Sequence, residues 1–344
     1  MPGVRGLCYD GHIGGFMGRR RPGAGRRVVA IGGGTGLPAV LAGLKRYLGT
    51  RLSDLTAVVT VTDDGGSSGR LREELQIPPP GDIRNCLVAL ADVEPLMAQL
   101  FQFRFGGDGS LAGHSFGNLF LAALTRVTGD VLQAIRVSGK VLAVRGTILP
   151  STLENVQLVA ELADGAFVHG ESRVADQAGA IRRVHLKPEA PPALPEVLEA
   201  IDGAHLVILA PGSLYTSLIP NLLVDGVVDA LRAAGAATVY VANLMTEPGE
   251  TDHYSLAQHL EALELHAGPG LVDGVIVNSR PFREGVLRRY RRAGAEPVGL
   301  DLDRVRAMGV WVAEADLVSH LDVARHHPQK LGRVLMRLLG EGEA

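Results

Sequence analysis

The sequence is poor in cysteine and in aromatic residues. It contains two cysteines, Cys8 and Cys86, among 344 residues, which are too few for a disulfide framework or for a zinc site built from cysteine alone. Scarce cysteine is typical of proteins that work in the reducing cytoplasm. Aromatic residues make up only 4% of the chain against 46% for all hydrophobic residues, so we expect a large core filled mainly by Leu, Val and Ala.

The sequence also lacks a strong net charge and a long apolar run. A formal net charge of −3 offers no electrostatic basis for binding nucleic acid. No run approaches the ~20 apolar residues of a membrane span, and the first residues contain no apolar segment of a secretory signal. We therefore expect a cytoplasmic protein with neither a membrane span nor a nucleic-acid partner.

The sequence also lacks the motifs of P-loop NTPases and of zinc enzymes. No GxxxxGK[ST] segment is present, which argues against a P-loop NTPase. The histidines and cysteines do not show zinc-ligand spacing, since His326 and His327 are adjacent and would diverge on a helix.

The stretch at 28–38, VVAIGGGTGLP, predicts a buried strand, a glycine turn and the start of a helix near Pro38. Free N–H groups in such a turn, together with the helix dipole, favour a bound phosphate, and Thr35 could add a hydroxyl. The alternative is a tight turn without a ligand. Four of the five central positions are glycine, which favours the phosphate site: Gly32, Gly33, Gly34 and Gly36.

The same turn permits a rival interpretation as a dinucleotide oxidoreductase. Gly34, Gly36 and Ala39 fit a loose GxGxxG/A fingerprint, and Asp63 follows the second predicted strand. However, Asp63 lies nearly thirty residues further on, where the fingerprint expects about twenty. We therefore favour a protein that binds a phosphate-containing nucleotide, or a transferase of a phosphoryl-linked group.

From residue 27 onward, apolar strands alternate with amphipathic helices. This pattern predicts a Rossmann-like α/β fold, with a mostly parallel sheet covered by helices on both faces. We expect a single domain over 27–342 with a small antiparallel insert at about 145–190, and a strand over 140–144. Residues 1–26 are rich in Gly and Arg and predict a disordered extension, in which Met17 is a candidate start.

An acidic, hydroxyl-rich loop follows the predicted strand at 56–62. Asp63 and Asp64 come first, and Ser67 and Ser68 follow two glycines. Ligands of open α/β sheets bind at the carboxyl ends of the strands, so this loop is placed to bind a ribose, hold a divalent cation such as Mg²⁺ or accept a proton. The alternative is a plain turn in which an Asp caps the next helix.

Polar residues on the next two helices are further candidates. Asp82 predicts a helix N-cap, and Arg84 and Asn85 would then lie in the first turn, where a cation opposes the helix dipole. An arginine in this electrostatically unfavourable position indicates a functional site. A salt bridge from Arg84 to Asp82 or Asp63 is the simpler explanation. His114 and Asn118 are four residues apart and could share a helix face, although capping explains each of them singly.

A second strand–turn–helix unit begins at residue 205. Its turn contains Gly212 and Ser213. Like the first glycine turn, it consists of small residues between an apolar strand and the N-terminus of a helix. The following strand ends at Asn243. The sheet is therefore expected to carry two candidate anion-binding turns, which could hold two ligands.

Six long motifs resemble those of YvcK-type gluconeogenesis factors, relatives of the CofD-type 2-phospho-L-lactate transferases. The resemblance covers about 27–340, and the DDGGSSGRLR and GDIRNC segments are similar to the YvcK side of the family. The motifs are IGGGTGLPAVLAGLK (31–45), VTDDGGSSGRLR (61–72), PPGDIRNCLVALAD (79–92), GHSFGNLFLAAL (113–124), APGSLYTSLIPNLLV (210–224) and NLMTEPGETDHYS (243–255).

The resemblance implies a cytoplasmic protein that binds UDP-sugars such as UDP-N-acetylglucosamine or UDP-glucose. It also implies a role in cell shape and in growth on gluconeogenic carbon sources, with protein partners in cell-wall control and homo-oligomers among its expected interactions. No established reaction comes with it. The transferase relatives act with magnesium on a nucleotide-activated donor, which is the alternative function.

The family motifs also assign candidate ligand-binding residues. Gly33, Gly34, Thr35 and Gly36 match the phosphate turn, Asp63, Asp64, Ser67 and Ser68 match the acidic loop, and Gly212 and Ser213 match the second turn. Tyr290 and Arg325 match the stretches that hold the UDP moiety. A Tyr ring can stack on uracil and an Arg can clamp a diphosphate. The alternatives are that Tyr290 is an ordinary half-buried helix residue and that Arg325 is an ordinary charged residue of a loop.

Overall fold

The computed structural model describes residues 25–176, 179–319 and 323–340. Its centre is a seven-stranded sheet whose strands are all parallel, in the order β10-β9-β8-β7-β1-β2-β3. The strands of this sheet are β1 (Arg26–Gly32), β2 (Leu52–Val59), β3 (Thr147–Pro150), β7 (Leu206–Leu209), β8 (Ala237–Val241), β9 (Gly274–Asn278) and β10 (Trp311–Ala315).

Helices cover both faces of the sheet, as expected for a parallel sheet. They are α1 (Gly36–Lys45), α2 (Gly66–Leu75), α3 (Pro80–Leu90), α4 (Pro95–Gln102), α5 (Phe116–Thr128), α6 (Val131–Val141), α7 (Glu171–Asp176), α8 (Pro195–Asp202), α9 (Ile219–Leu222), α10 (Val227–Ala233), α11 (Leu256–Ala267), α12 (Glu284–Arg292), α13 (Leu302–Ala307) and α14 (Pro328–Leu338).

Strand β1 shows why the sheet is buried on both sides. Its residues alternate between two hydrophobic cores, with Val28 and Ala30 in one and Val29 and Ile31 in the other. Successive side chains of a strand point to opposite faces, so an uninterrupted apolar run requires apolar packing on both. The predicted Rossmann-like α/β class is confirmed.

The antiparallel insert is smaller than predicted. Strands β5 (Phe167–His169), β4 (Gln157–Leu162) and β6 (Ile181–Lys187) form a separate three-stranded sheet, and α7 lies between β5 and β6. The start of the predicted segment belongs elsewhere, because β3 pairs in parallel with β2. The predicted strand at 140–144 is wrong, since its first residues continue α6, which ends at Val141.

The structure also bears on the predicted extension and on membranes. Residues 1–24 of the predicted extension lie outside the described residues, and Arg26 is the first residue of β1. Among the helices of the described segments, none is long and apolar enough to cross a bilayer.

The strand order places a crevice at the centre of the sheet. From β1 the chain moves outward through β2 and β3 on one side, whereas β7 to β10 build the other side. In open α/β sheets such a switch point, at the carboxyl ends of the strands, is where ligands bind. The crevice between β1 and β7 is therefore the place to look for a site.

Candidate functional site

A cleft of about 900 Å³ lies at this switch point. The turn after β1 and the turn after β7 both line it, through Gly34–Gly36 on one side and Pro211–Ser213 on the other. The two turns touch, because a Cβ added to Gly36 would lie 1.7 Å from the carbonyl oxygen of Pro211. The sequence suggested two anion-binding turns that could hold two ligands, and the fold places both turns on one cleft.

The glycine turn retains the features expected of a phosphate site. Gly34 has a φ of +60°, a left-handed conformation that glycine adopts without strain. Thr35 occupies the N-cap position of α1 and makes no side-chain capping bond. The first N–H groups of a helix have no intrahelical partner, and Gly36, the first residue of α1, lines the cleft.

One N–H group of this turn is already engaged. The Gly34 N–H donates to Asp82 Oδ2 at 2.7 Å. The sequence predicted Asp82 as an N-cap, which is wrong, because α3 begins at Pro80 and Pro79 is at the cap position. Asp82 instead stabilises the glycine turn through this hydrogen bond to Gly34, which lies 48 residues earlier in the sequence.

The carboxyl group of Asp82 is enclosed although the residue as a whole is half-buried. Burial raises its pKa to about 6, and the nearby charge of Asp63 adds to the increase, while the Gly34 N–H bond and the Arg84 charge oppose it. A carboxyl group with this pKa changes its protonation state just below neutral pH.

We expect Asp82 to make the stability of the protein depend on pH. Its pKa is raised from an ordinary 3.8, so the native state binds this proton more tightly than the unfolded chain does. The free energy of unfolding should therefore fall as the pH rises from about 4 to about 6, by about 3 kcal/mol from this group. Urea unfolding at pH 4.5 and pH 7 should show a smaller difference for Asp82→Asn than for wild type.

The exposed residue Asp108 supplies a matched control for this measurement. Asp108→Asn should preserve the wild-type pH dependence. Equal pH profiles for Asp82→Asn and wild type would contradict the assignment to Asp82.

Behind the glycine turn, several predicted ligand residues form a buried polar network. Arg84 donates to Ser115 Oγ at 2.5 Å, to Asn118 Oδ1 at 3.1 Å and to Asn85 Oδ1 at 2.7 Å. The predicted salt bridge from Arg84 to Asp82 or Asp63 is thus replaced by neutral partners. The Asn118 amide donates onward to Ser67 Oγ at 3.1 Å and Ser68 Oγ at 3.5 Å. The network joins the first turns of α2 and α5 to α3. The prediction that Arg84 and Asn85 lie in the first turn of their helix is wrong, because α3 begins at Pro80 and they are its fifth and sixth residues.

Ser67 and His114 form a pair within this network. Ser67 is the central serine of a GxSxG segment, Gly65 to Gly69, a hydrolase pattern that the sequence also contains. Its Oγ lies 3.0 Å from His114 Nδ1. Both residues are buried, at 4% and 6% exposure, and neither lines the cleft, so the pair is not placed to attack a substrate there. Burial and the charge of Arg70 lower the pKa of His114.

Asp64 connects the acidic loop to the antiparallel insert. Its carboxylate accepts hydrogen bonds from the N–H groups of Glu171 at 3.1 Å and Ser172 at 2.9 Å, at the start of α7. The carboxylate of Asp63 accepts from the Gly65 N–H at 3.0 Å. Neither residue lines the cleft. Their hydrogen bonds instead stabilise the turn of the acidic loop and attach the loop to the antiparallel insert.

Glu171 is a titratable residue that the sequence analysis missed. Burial raises its pKa to about 8, and the charges of Asp63, Asp64 and Asp82 add to the increase. Nothing in the local sequence marks this glutamate, because its neighbours come from distant segments.

The described residues do not form a protein-built magnesium site. Across the three described segments, no three His, Cys, Asp or Glu side chains are grouped so as to hold a metal ion. The carboxylates near Asp63 therefore do not by themselves fit a bound cation.

The second turn is shaped by Asn243, two residues after the end of β8. Its side chain accepts from the Gly212 N–H at 3.1 Å and donates to the Gly212 carbonyl oxygen at 2.8 Å. Ser213 donates its hydroxyl to Glu247 Oε1 at 2.7 Å. Asn243 thus fixes the conformation of the turn, and Glu247, another residue missed from the sequence, adds a carboxylate to the cleft wall.

Tyr290 and Arg325 line the part of the cleft formed by α12 and the approach to α14. Tyr290 is half-buried and packs with Leu244, Met245 and Val286. Arg325 is exposed, and its main-chain oxygen accepts from the Ser319 N–H at 2.9 Å.

The structure divides the predicted site residues into two groups. Nine line the cleft: Gly34, Thr35, Gly36, Asn85, Gly212, Ser213, Asn243, Tyr290 and Arg325. The others lie behind it, where Gly33 packs against Thr60 and Asp82: Gly33, Asp63, Asp64, Ser67, Ser68, Arg84, His114 and Asn118.

The fold and the cleft define a Rossmann-like α/β protein with a ligand cleft at the switch point of its parallel sheet. Residues 28–318 match the sequence model of the family described as 2-phospho-L-lactate transferase CofD, and the chain belongs to that family.

The relatives of the chain include proteins named gluconeogenesis factor. One from Bacillus subtilis is 48% identical over 316 residues, which cover 92% of this chain and 98% of the relative. One from Halalkalibacterium halodurans is 46% identical over 312 residues, which cover 90% and 96%. A crystal structure of a Bacillus halodurans protein has a TM-score of 0.88 at 46% identity, covering 91% of this chain and 99% of that one. The resemblance to YvcK-type gluconeogenesis factors is confirmed.

Proposed function

We propose that this chain is a cytoplasmic factor that binds a UDP-sugar, UDP-N-acetylglucosamine or UDP-glucose, in this cleft. The observation that supports the proposal is the contact between two glycine turns on one wall of a cleft that Tyr290 and Arg325 also line. A nucleoside diphosphate linked to a sugar supplies the matching groups, with a base for the aromatic ring and phosphates for the turns and the guanidinium.

In this arrangement the diphosphate lies at the start of α1 and beside Gly212 and Ser213. The helix N-terminus offers N–H groups and partial positive charge to the anion. The exposed guanidinium of Arg325 can clamp a phosphate through two hydrogen bonds, and the Tyr290 ring can stack on uracil.

The names of the relatives support the gluconeogenic part of the proposed biological role. Proteins of 46–48% identity named gluconeogenesis factor support a role in growth on gluconeogenic carbon sources, and our proposal adds a role in cell shape. A regulatory protein of this kind would report the level of a UDP-sugar to a protein partner in cell-wall control, alone or as a homo-oligomer.

A thermal-shift screen tests the proposal directly. The ligands are UDP-N-acetylglucosamine, UDP-glucose, UDP, GDP, NAD and a deazaflavin, each with and without Mg²⁺. A ligand at a hundredfold excess over Kd should raise the free energy of unfolding by about 2.7 kcal/mol. Stabilisation by UDP-sugars alone supports the proposal, whereas stabilisation by NAD alone contradicts it.

A Mg²⁺-dependent transferase of a nucleotide-linked phospho-group is the second candidate. The matching family model is described as a transferase, and the carboxylate of Asp82 accepts a hydrogen bond from Gly34 in the glycine turn. Metal-dependent turnover of a nucleotide-activated donor, lost in Asp63→Asn or in Asp64→Asn, would support it. Stabilisation by the ligand without turnover would support a binding protein instead.

A further inference from the structure

The loop that follows β8 crosses the cleft wall between its two ends. At one side of the loop, Ser213 of the second glycine turn donates its hydroxyl to Glu247. At the other side, Leu244 and Met245 pack with Tyr290, and the Thr246 N–H donates to the carbonyl oxygen of Glu296 at 2.7 Å, beyond α12. Glu247 therefore contacts the second glycine turn and belongs to the same loop that packs against the aromatic ring.

The carboxylate of Glu247 has hydrogen-bonding capacity left over. It lines the cleft, and within the described residues its Oε1 accepts from Ser213 while Oε2 takes part in no hydrogen bond. Burial raises the pKa of Glu247, and the Ser213 hydrogen bond opposes the increase. Ionised or protonated, a carboxyl group has more lone pairs than the one that Ser213 uses. Glu247 can therefore accept further hydrogen bonds from a group inside the cleft.

The neighbouring Glu250 has a different role. Its oxygens accept from the Tyr215 N–H at 3.2 Å and from Thr216 Oγ1 at 2.9 Å, and the residue is only 3% exposed. Glu250 is thus committed to the turn of π-helix at Leu214–Leu218. Glu247 is the one of the two glutamates that faces the cleft.

Elementary chemistry limits what Glu247 can recognise. A carboxylate beside a bound diphosphate repels a further anion and favours hydroxyl donors. In a nucleoside diphosphate, the group between base and phosphates is the ribose, and its 2′ and 3′ hydroxyls supply two adjacent donors. Dinucleotide-binding folds satisfy a ribose with an acidic residue after the second strand. Here the residues at that place, Asp63 and Asp64, lie outside the cleft.

We propose that Glu247 binds the ribose hydroxyls of the nucleotide and selects ribonucleotides over 2′-deoxyribonucleotides. The assignment rests on the proposed function, since it requires a nucleotide in the cleft. It moves the ribose-binding acid from the end of β2, where the sequence pattern placed it, to the loop after β8.

The test compares the affinities of UDP and 2′-deoxy-UDP by calorimetric titration of the full chain. Wild type should bind the deoxynucleotide about 10- to 100-fold more weakly, the loss expected for a hydrogen bond to a charged group. Glu247→Ala should lose a similar factor for UDP and bind both nucleotides about equally. The near-isosteric Glu247→Gln should retain part of the preference, and the exposed control Glu314→Gln should behave as wild type.

The outcomes separate this inference from the proposed function. Tight binding of UDP with no preference over 2′-deoxy-UDP would overturn the role of Glu247 and leave nucleotide binding intact. An unchanged preference in Glu247→Ala would also overturn it. If the cleft takes GDP, CDP or ADP instead, the ribose preference is measured on that nucleotide, and failure of all four to bind overturns both proposals.

Discussion

Replacing Gly36 by alanine should lower the free energy of unfolding by about 3 kcal/mol or more and abolish nucleotide binding. An added Cβ would lie 1.7 Å from the oxygen and 2.4 Å from the carbon of the Pro211 carbonyl. Both atoms belong to the main chain, so relief requires the two turns to move apart. Overpacking of a tight site costs about 1–3 kcal/mol and occasionally more. We expect a cost at the upper end because the clash is with main-chain atoms, which a change of side-chain rotamer does not move.

Urea unfolding with and without the UDP-sugar measures both effects of Gly36→Ala. The matched control is Gly139→Ala in α6, where the nearest atom to an added Cβ is 3.7 Å away. There the better helix propensity of alanine should stabilise the protein by about 0.5–1 kcal/mol. A Gly36→Ala protein with wild-type stability and binding would show that the contact between the turns is not needed.

Arg325→Ala should weaken UDP-sugar binding about 100-fold while leaving the free energy of unfolding within about 0.5 kcal/mol of wild type. The side chain is exposed on the cleft wall, so its removal opens no cavity in the core. Two charge-assisted hydrogen bonds to a phosphate account for a loss of this size. Titration calorimetry gives the affinity, and thermal unfolding checks the fold.

Two further variants sharpen the Arg325 experiment. Arg325→Lys retains the charge without the two-pronged geometry, so we expect an intermediate affinity. Arg306→Ala removes an exposed arginine that pairs with Asp303 on α13, and it should bind as wild type. Unchanged affinity in Arg325→Ala would exclude this residue from the site.

The local features of the fold could be predicted because they depend on neighbouring residues. The apolar run of β1 predicts a strand buried on both faces, and the glycines after it predict a turn that few other residues could adopt. The strand predicted at 140–144 was wrong for a related reason. A short apolar run fits a helix end as well as a strand, and the i, i+4 contacts of α6 decided the outcome.

The polar residues of the site were harder to place, and Asp82 and Asp64 show why. Both were predicted from local rules as caps or ligands. Asp82 instead bonds to Gly34, 48 residues away, and Asp64 bonds to Glu171, 107 residues away. Hydrogen bonds across such separations depend on which strands become neighbours, and the order of strands in a sheet is not written in any local pattern.

The sequence by itself determined the alternation of strands and helices, the two glycine turns and the family, because periodicity, backbone freedom and long motifs are properties of contiguous residues. Only the tertiary structure decided that the two turns form one cleft, that Tyr290, Arg325 and Glu247 share it, and that the acidic loop lies behind it. The physical reason is the strand order β7-β1-β2, which brings the carboxyl end of β7 against that of β1 and leaves the loop after β2 to pack on the insert.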